Sequence, residues 1–340
     1  MQLLARPECL RPPGMLPLMN QLVERRRSVI ALLLALGCAA MPPAAAQEPP
    51  RDFIGAAARP RPRFDVSQTL TGLARRVRET AVADQTVASA AWLVLAFHEN
   101  GSTMKVGTHR ESVRMMVRTL LELQGPGGQF ARNGVAGSRS DQMVGALALL
   151  VAFERSQHRP LRAPAMKACE AVLAMKAPDA KTPTNEEVAL VTLLLPTLSN
   201  LAPGEPEAAV AADRLKAMAG ELLASRKFGE TRRGDAALHF GQLMLGEPHP
   251  PELTVARTWP ANLTADPLHM LFAMLAVSTD EKSLARQSNL IDGLLAARAS
   301  AGSNAGMWPA AAGLDETTTT AMLTMGTGVA NGSPLLLRPK

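Results

Sequence analysis

Residues 141–153, DQMVGALALLVAF, are long enough for more than three helical turns and carry polar side chains only at Asp141 and Gln142. A helix of this composition has no polar face, so protein must surround it on all sides. Similar apolar runs recur along the chain, and most of them follow an acidic side chain. The other runs begin near Asp84, Glu186, Asp235, Asp266 and Thr317.

The segments between these apolar runs are amphipathic. Between His109 and Leu123, apolar side chains follow helical spacing on one stripe, and arginines occupy the opposite stripe. Similar patterns occur at residues 66–80, 162–175, 206–225 and 280–298. No strand-like alternation competes with this pattern, so β-structure is not expected.

Half-buried and fully buried helices therefore alternate, which indicates helical hairpins that bury their cores against one another. An open solenoid would expose the apolar helices along its concave face, whereas a closed ring would cover them. We therefore expect an all-α fold, an α/α toroid of about five to six helical hairpins with about eleven helices.

A short motif follows the amphipathic helix that ends near Leu123. Gln124 precedes Gly128 and Phe130, and a second copy contains Gly306 and Trp308. This pattern resembles the repeats of the prenyltransferase and squalene-cyclase family, in which Gln is followed by Gly-x-aromatic. The chain is similar to uncharacterised bacterial members of that family. In the second copy, Arg298 stands near the position that the glutamine takes in the family motif.

The resemblance covers roughly residues 66–327, and we place the toroid domain at 65–328 with a C-terminal tail at 329–340. The motif is expected to be structural. Its Gln satisfies backbone groups at a helix end, its Gly allows a sharp turn, and its aromatic side chain covers the seam between repeats.

The enzymatic chemistries of the family do not fit this sequence. Squalene-type cyclisation uses an Asp-x-Asp-Asp acid and aromatic faces that stabilise carbocations. The chain lacks that cluster and has three Trp, eight Phe and no Tyr. Protein prenyltransferases use a zinc ion held by Asp, Cys and His. Cys169 lies on an apolar helical stripe with no His at ligand spacing, so neither a metal nor a cofactor is expected.

Six side chains on the apolar helices are candidates for catalysis. The aspartates stand at helix starts, where they could form an acidic rim at one opening of the ring and act as paired carboxylates on a glycan. Helix capping explains the same positions without any catalysis. For the two histidines, the alternative to catalysis is a buried position in the core in which their polar atoms are hydrogen-bonded. The candidates are Asp84, Asp141, Asp235, His239, Asp266 and His269.

The N-terminal region has the features of an export signal. Three arginines, Arg25 to Arg27, precede an apolar run of 13 residues, Ser28 to Ala40, and small residues end at Ala46. A bilayer span needs about 20 residues, so a retained anchor is disfavoured and no transmembrane helix is expected after cleavage. Residues 1–46 are thus predicted to be a signal peptide, and 47–64 a Pro/Arg-rich linker.

Two alternatives stay open in this region. Leu36-Gly37-Cys38 resembles a lipobox, which would make Cys38 a lipid anchor, and translation could start at Met1 or Met19. In either case we expect an exported protein, periplasmic or extracellular, with the lipoprotein as the alternative.

Charge gives little support for nucleic-acid binding. Residues 1–46 carry five Arg and two Glu and so hold half of the net charge of +6. The sequence therefore predicts a binding or scaffold protein that takes a small apolar ligand or a protein partner in its lumen or on its rim. The alternative is a divergent enzyme, an isoprenoid cyclase or transferase or a carbohydrate-active enzyme, that uses the inner-helix carboxylates.

Overall fold

The computed structural model describes residues 64–80, 84–132, 134–175, 185–225, 228–229, 231–246, 262, 264–278, 288–302 and 304–330. All of them belong to one compact unit, Pro60–Lys340. The predicted signal peptide, the linker up to residue 63, Cys38 and the tail after residue 330 lie outside these ranges.

Eleven α-helices lie within the described ranges. They are α1 Ser67–Glu79, α2 Val87–Glu99, α3 Arg110–Leu123, α4 Arg139–Ser156, α5 Arg162–Leu173, α6 Asn185–Leu201, α7 Pro206–Ala224, α8 Arg232–Leu245, α9 Pro267–Val277, α10 Ser288–Ala296 and α11 Glu316–Ala330. A 3₁₀ turn, Arg159–Leu161, precedes α5.

Six of these helices form a closed inner ring. Each packs against the next in the order α2, α4, α6, α8, α9 and α11, and α11 packs against α2. Helices α1, α3, α5 and α7 form an outer layer, in which α1 contacts α3 and α5 contacts α7. The predicted all-α toroid is therefore confirmed.

The two layers differ in burial as their sequences predict. On α2, 12 of 13 residues are buried, and on α4 14 of 18 are buried, because protein surrounds these helices. On α3, by contrast, the buried side chains lie on a single stripe that includes Val113, Met116 and Leu120. A side chain that lined a water-sized cavity would keep some accessible surface, so along α2 and α4 the ring interior is filled by side chains. The expected apolar ligand has no open space there.

The first Gly-aromatic motif joins successive repeats. The Gln124 amide donates to the Pro164 carbonyl of α5 at 2.9 Å. Gly128 has φ +87°, and a Cβ atom there would collide with the Lys167 carbonyl, so only glycine allows this approach. Phe130 is fully buried, and the Gln142 side chain holds its backbone by accepting from its N–H at 2.8 Å and donating to its carbonyl at 2.7 Å.

The second motif makes the same kind of joint, and this joint closes the ring. Gly306 has φ +81° and lies against Gln68 and Thr69 of α1, whose Thr69 hydroxyl donates to the Gly306 carbonyl at 2.6 Å. Trp308 is fully buried and donates from Nε1 to the Leu294 carbonyl of α10 at 2.8 Å. The Thr320 hydroxyl contacts the backbone N–H and carbonyl of Trp308 at 3.0 and 3.2 Å, in the place that Gln142 takes at Phe130.

One small feature departs from the expectation of no β-structure. Strands β1, Ala131–Arg132, and β2, Val135–Ala136, pair antiparallel directly after the first motif. The connection between them is Asn133-Gly134, a sequence strongly favoured in two-residue hairpin turns. The hairpin carries the chain from Phe130 to the start of α4.

Candidate functional site at the N-terminal mouth

The inner helices begin on the same side of the ring. Side chains from the starts of α4, α6, α8 and α9 contact one another, and the starts of α2 and α11 line one cleft. We call this surface the N-terminal mouth. It collects the residues that precede or open the inner helices, and it therefore contains most of the polar side chains that the sequence places there.

Three ion pairs connect four neighbouring helices across the mouth. Arg139 Nε of α4 lies 3.0 Å from Glu187 Oε1 of α6, and Arg233 Nε of α8 lies 2.7 Å from Glu186 Oε1 of α6. Arg233 also reaches Asp266 Oδ2 before α9, at 3.2 Å. We call this set the ion-pair belt. Basic and acidic side chains alternate from one helix to the next in this belt, and their contacts hold the starts of the four helices at a fixed spacing.

The belt differs in burial along its length. The Glu187 side chain is 7% exposed and its second oxygen, Oε2, has no partner within the part of the chain that the structure describes. The Arg233 side chain is 40% exposed. Burial lowers the pKa of the Arg233 guanidinium, but Asp266 and Glu186 together outweigh this effect, so the net direction of its pKa is upward. The charge of Arg233 is thus stabilised by two carboxylates on different helices.

Two of the predicted aspartates cap their own helices. Asp141 forms a capping box with Ser138, in which Asp141 Oδ2 accepts from the Ser138 N–H at 2.9 Å and Ser138 Oγ accepts from the Asp141 N–H at 3.1 Å. Asp266 accepts from the His269 N–H at 3.0 Å, in addition to its contact with Arg233. The capping alternative thus describes both residues.

Asp235 and the two histidines take other places. Asp235 is buried and accepts from the Gly229 N–H at 2.7 Å, while Thr231 caps α8, so Asp235 holds the preceding connection instead of its own helix start. His239 follows one turn later on α8 and is buried, as is His269 on α9. Of the six predicted residues, Asp266 and His269 are joined by the bond between the Asp266 carboxylate and the His269 backbone N–H.

Asp84 lies at a separate part of the mouth, in a cleft between α1, α2 and α11. The cleft has a volume of about 180 Å³, and its walls include Arg76, Asp84, Gln85, Asp315 and Thr317. Thr86, not Asp84, caps α2 by accepting from the Ser89 N–H, so the capping prediction is wrong for Asp84. Asp84 is exposed, and the Asp315 carboxylate accepts from the Thr318 N–H and hydroxyl.

Gln85 is the unusual side chain of this cleft. It is 4% exposed, yet its Oε1 has no hydrogen-bond partner among the residues that the structure describes. A buried polar atom without a partner costs about 1–3 kcal/mol, so native proteins rarely keep one without a reason. The sequence marks Gln85 only by its place between Asp84 and Thr86, and this does not predict a missing partner.

Two groups away from the mouth bear on the sequence predictions. Burial raises the pKa of the Cys169 thiol to about 12, as suits a packed helix stripe. A cation near the end of a helix suits the helix dipole, but His98 near the end of α2 is not a cation. Burial first, then the nearby Arg155 charge, lowers the pKa of His98 to about 3, so its ring is neutral.

The described residues contain no group of three or more His, Cys, Asp or Glu side chains that could hold a metal ion. None of the helices within the same ranges has the length and apolar character needed to cross a membrane.

Several mouth residues escaped prediction. Arg139 and Arg233 could have been marked as candidates from a simple signal, because opposite charges occupy the first turn of successive inner helices. Arg139 was part of the most polar helix start in the sequence, but its partner 48 positions later was not predictable from spacing alone.

Comparison with known proteins identifies no family. No family model matches the chain, and no curated protein matches it. A search of solved structures finds similar chains, among them one described as a novel alpha-amylase from Clostridium perfringens. That chain is 11% identical with a TM-score of 0.48, and the alignment covers 80% of this chain and 99% of that one.

Proposed function

We propose that the protein is an exported binding or scaffold protein that takes its ligand or partner at the N-terminal mouth. We also propose that it is a divergent relative of the prenyltransferase and squalene-cyclase repeat family. The two Gly-aromatic joints support this kinship, since both place a left-handed glycine against the next outer helix and bury the aromatic side chain.

One observation carries the binding function: four carboxylates of the mouth are occupied by helix N–H groups or by arginines. Asp141 and Asp266 cap helices, and Glu186, Glu187 and Asp266 pair with guanidinium groups. Paired-carboxylate catalysis needs two acids that face one substrate bond. Carboxylates that already cap helices or pair with arginines favour a rigid polar surface over a catalytic acid–base pair.

The filled interior supports the same choice. Along α2 and α4 the inner residues keep almost no accessible surface, so a ligand of those helices would have to displace core side chains. The mouth, by contrast, offers exposed polar groups such as Asp84 and Asp315 on either side of an existing cleft. Binding at the mouth therefore requires no rearrangement of the ring.

Site-specific photo-crosslinking tests this function. A photoreactive amino acid is placed at Asp84 and, as the control, at Val210 of α7, which is 60% exposed on the outer layer. Crosslinking is carried out in intact native cells. We expect a discrete adduct from position 84 that excess unlabelled protein competes away, and none from position 210. Equal labelling at both positions would contradict the proposal.

Parallel activity assays test the alternative that the protein is a divergent enzyme. Turnover of soluble glucans or of prenyl diphosphates that is lost in an Asp84→Asn, Asp315→Asn double variant would replace the binding function by catalysis.

Export is tested separately by mass spectrometry of the mature N-terminus. A chain that begins at Gln47 supports cleavage after Ala46, and a lipidated Cys38 supports the lipoprotein.

A further inference from the structure

We infer that a second binding site lies at the end of the ring opposite the N-terminal mouth, and that it takes a small zwitterion with one carboxylate and one amine, such as an amino acid or a short peptide. The site is a cleft between the ends of α4 and α6, bordered by the start of α5 and the connection before α7. Its volume is about 650 Å³. Small-molecule sites typically have volumes of about 300–1,000 Å³.

The first step concerns Arg159, a charged side chain of this cleft that no described residue neutralises. Arg159 is exposed, lines the cleft and has no ion pair or side-chain hydrogen bond within the described ranges. An arginine near a helix end can donate to the last carbonyls of the helix. Here Gln157 does so instead, because its backbone N–H donates to the Phe153 carbonyl and its side-chain amide to the Glu154 carbonyl, both at 2.7 Å. The guanidinium of Arg159 is therefore left for a ligand.

The second step concerns how firmly the backbone of Arg159 is held. Gln157 has a left-handed φ of +50°, which turns the chain away from α4. The 3₁₀ turn that follows contains Pro160, whose ring fixes φ, and ends at Leu161, which is 2% exposed and donates its N–H to the His158 carbonyl at 2.8 Å. A backbone that is already ordered loses little conformational entropy when its side chain binds a ligand.

The third step concerns the opposite charge in the same cleft. Arg162 Nε lies 2.5 Å from Glu205 Oε2, and Arg162 Nη2 lies 3.1 Å from Glu207 Oε2. These three side chains together carry one net negative charge. Glu205 lines the cleft and its side chain is 21% exposed. A carboxylate has about four acceptor sites, so the contact with Arg162 leaves Glu205 able to accept from an amine as well.

The charges of the cleft favour a ligand with one charge of each sign. A dianion such as phosphate would be attracted by Arg159 but repelled by Glu205 and by the carbonyl ends of α4 and α6. A simple cation would be repelled by Arg159. A carboxylate, by contrast, matches the planar guanidinium through two parallel hydrogen bonds, and an amine matches Glu205. Amino acids and short peptides present both groups.

Arg159→Gln is the decisive variant, because it removes the charge and keeps a polar side chain. Since Arg159 is exposed and unpaired within the described ranges, the Tm of the free protein should not change. Arg118→Gln is the matched control. Arg118 on α3 is also exposed and without an ion pair to any described residue, but it lies outside this cleft.

Binding is measured by calorimetry and by ligand-observed NMR on the purified protein. The probes are the standard amino acids and a set of their dipeptides and tripeptides, each also in C-amidated and N-acetylated form. We expect saturable one-to-one binding of at least one zwitterionic probe by the wild type and by Arg118→Gln. Arg159→Gln should bind that probe about tenfold more weakly or worse, because the carboxylate loses a charge-assisted partner.

The blocked probes test each contact separately. Amidation of the carboxylate should weaken binding to the wild type about as much as Arg159→Gln does, and should weaken binding to Arg159→Gln no further, because both changes remove the same contact. Acetylation of the amine should weaken binding to both proteins. No saturable binding of any probe, unchanged binding by Arg159→Gln, or equal binding of a blocked form overturns the inference.

The same titrations separate the two sources of the ligand. Free amino acids that bind as tightly as peptides indicate an amino acid, and peptides that bind much more tightly indicate a peptide, and either result supports the inference. The function proposed for the mouth is tested by crosslinking at position 84, at the other end of the inner helices. Failure of one experiment therefore leaves the other conclusion standing.

Discussion

Arg298, which follows α10, donates from Nη1 to the backbone carbonyl of Asp65, which precedes α1, at 3.1 Å and so ties these two parts of the chain together. In the first motif Gln124 makes the equivalent bond, to the Pro164 carbonyl of the next outer helix. An arginine therefore replaces a glutamine at the joint that closes the ring. Its longer side chain also reaches the Thr69 hydroxyl, at 2.9 Å.

Gly128→Ala is expected to destabilise the protein by more than about 3 kcal/mol, because the new methyl group meets the Lys167 carbonyl in addition to the cost of a left-handed alanine. Gly134→Ala is the control. Gly134 has φ +78° but open space around it, so only the conformational cost of about 1–2 kcal/mol remains. Urea denaturation measures both, and equal losses would show that the approach to α5 is unimportant.

Gln142→Met should lower the free energy of unfolding by about 2–4 kcal/mol, since the Phe130 N–H loses its buried partner and the Phe130 carbonyl loses one of two. The exposed neighbour Gln129 serves as the control, and Gln129→Met should change stability by less than about 0.5 kcal/mol. Thermal and urea unfolding compare the pair. A neutral Gln142→Met would mean that water replaces the side chain.

Arg139→Met should cost about 2–3 kcal/mol, because it leaves the Glu187 carboxylate buried without its arginine. Arg75→Met removes an exposed contact with Glu79 at 3.8 Å and should cost less than about 0.5 kcal/mol. Chemical denaturation at low and high salt distinguishes them, since only the exposed pair is strongly screened. Similar costs for both variants would argue against a special role of the ion-pair belt.

Stability should fall as pH falls through the range set by His98. Its pKa is about 3 in the folded chain and ordinary in the unfolded chain, so between pH 6.5 and 3 the unfolded chain binds the extra proton. The loss approaches about 1.4 kcal/mol per pH unit. His98→Leu removes this contribution, and its stability relative to wild type should rise steadily from pH 6.5 to 4. Urea unfolding of the wild type and of His98→Leu between pH 6.5 and 4 measures this difference, and a difference that stays constant with pH would contradict the prediction.

Cys169 should resist thiol reagents in the folded protein. It is fully buried with a pKa of about 12, so the reactive thiolate is scarce and inaccessible at neutral pH. In a chain that begins at Gln47 it is the only cysteine, so labelling by a disulfide reagent reports on unfolding alone. We expect labelling to follow the urea transition. Rapid labelling in native buffer would contradict the packing of α5.

The fold could be predicted because its signal is local. Residues 141–153 have no polar face, and this property alone requires protein on every side of α4. The two Gly-aromatic motifs are also local in sequence, and both lie at the joints between successive repeats, as predicted. The β-hairpin is a local feature as well, marked by Asn133-Gly134, and the sequence contained the evidence for it.

The site could be predicted only in part, because its geometry depends on partners distant in sequence. Asp141 and Asp266 cap helices from positions that a pattern can recognise. The pairing of Arg233 with both Glu186 and Asp266 depends on ring order, which spacing does not specify. His98 is neutral because the surrounding protein buries it. Its position near a helix end in the sequence does not show this burial.

The closing joint also has a kinetic consequence. The Thr69 hydroxyl and the Gly306 carbonyl are separated by 237 positions, so this contact forms only after the whole ring sequence has been synthesised. Each earlier repeat can pack on its predecessor, but bringing the two ends together carries the entropy cost of a very long loop. The slowest folding step should therefore be ring closure, and a chain that lacks the last repeat should collapse into an incomplete arc with exposed apolar helices.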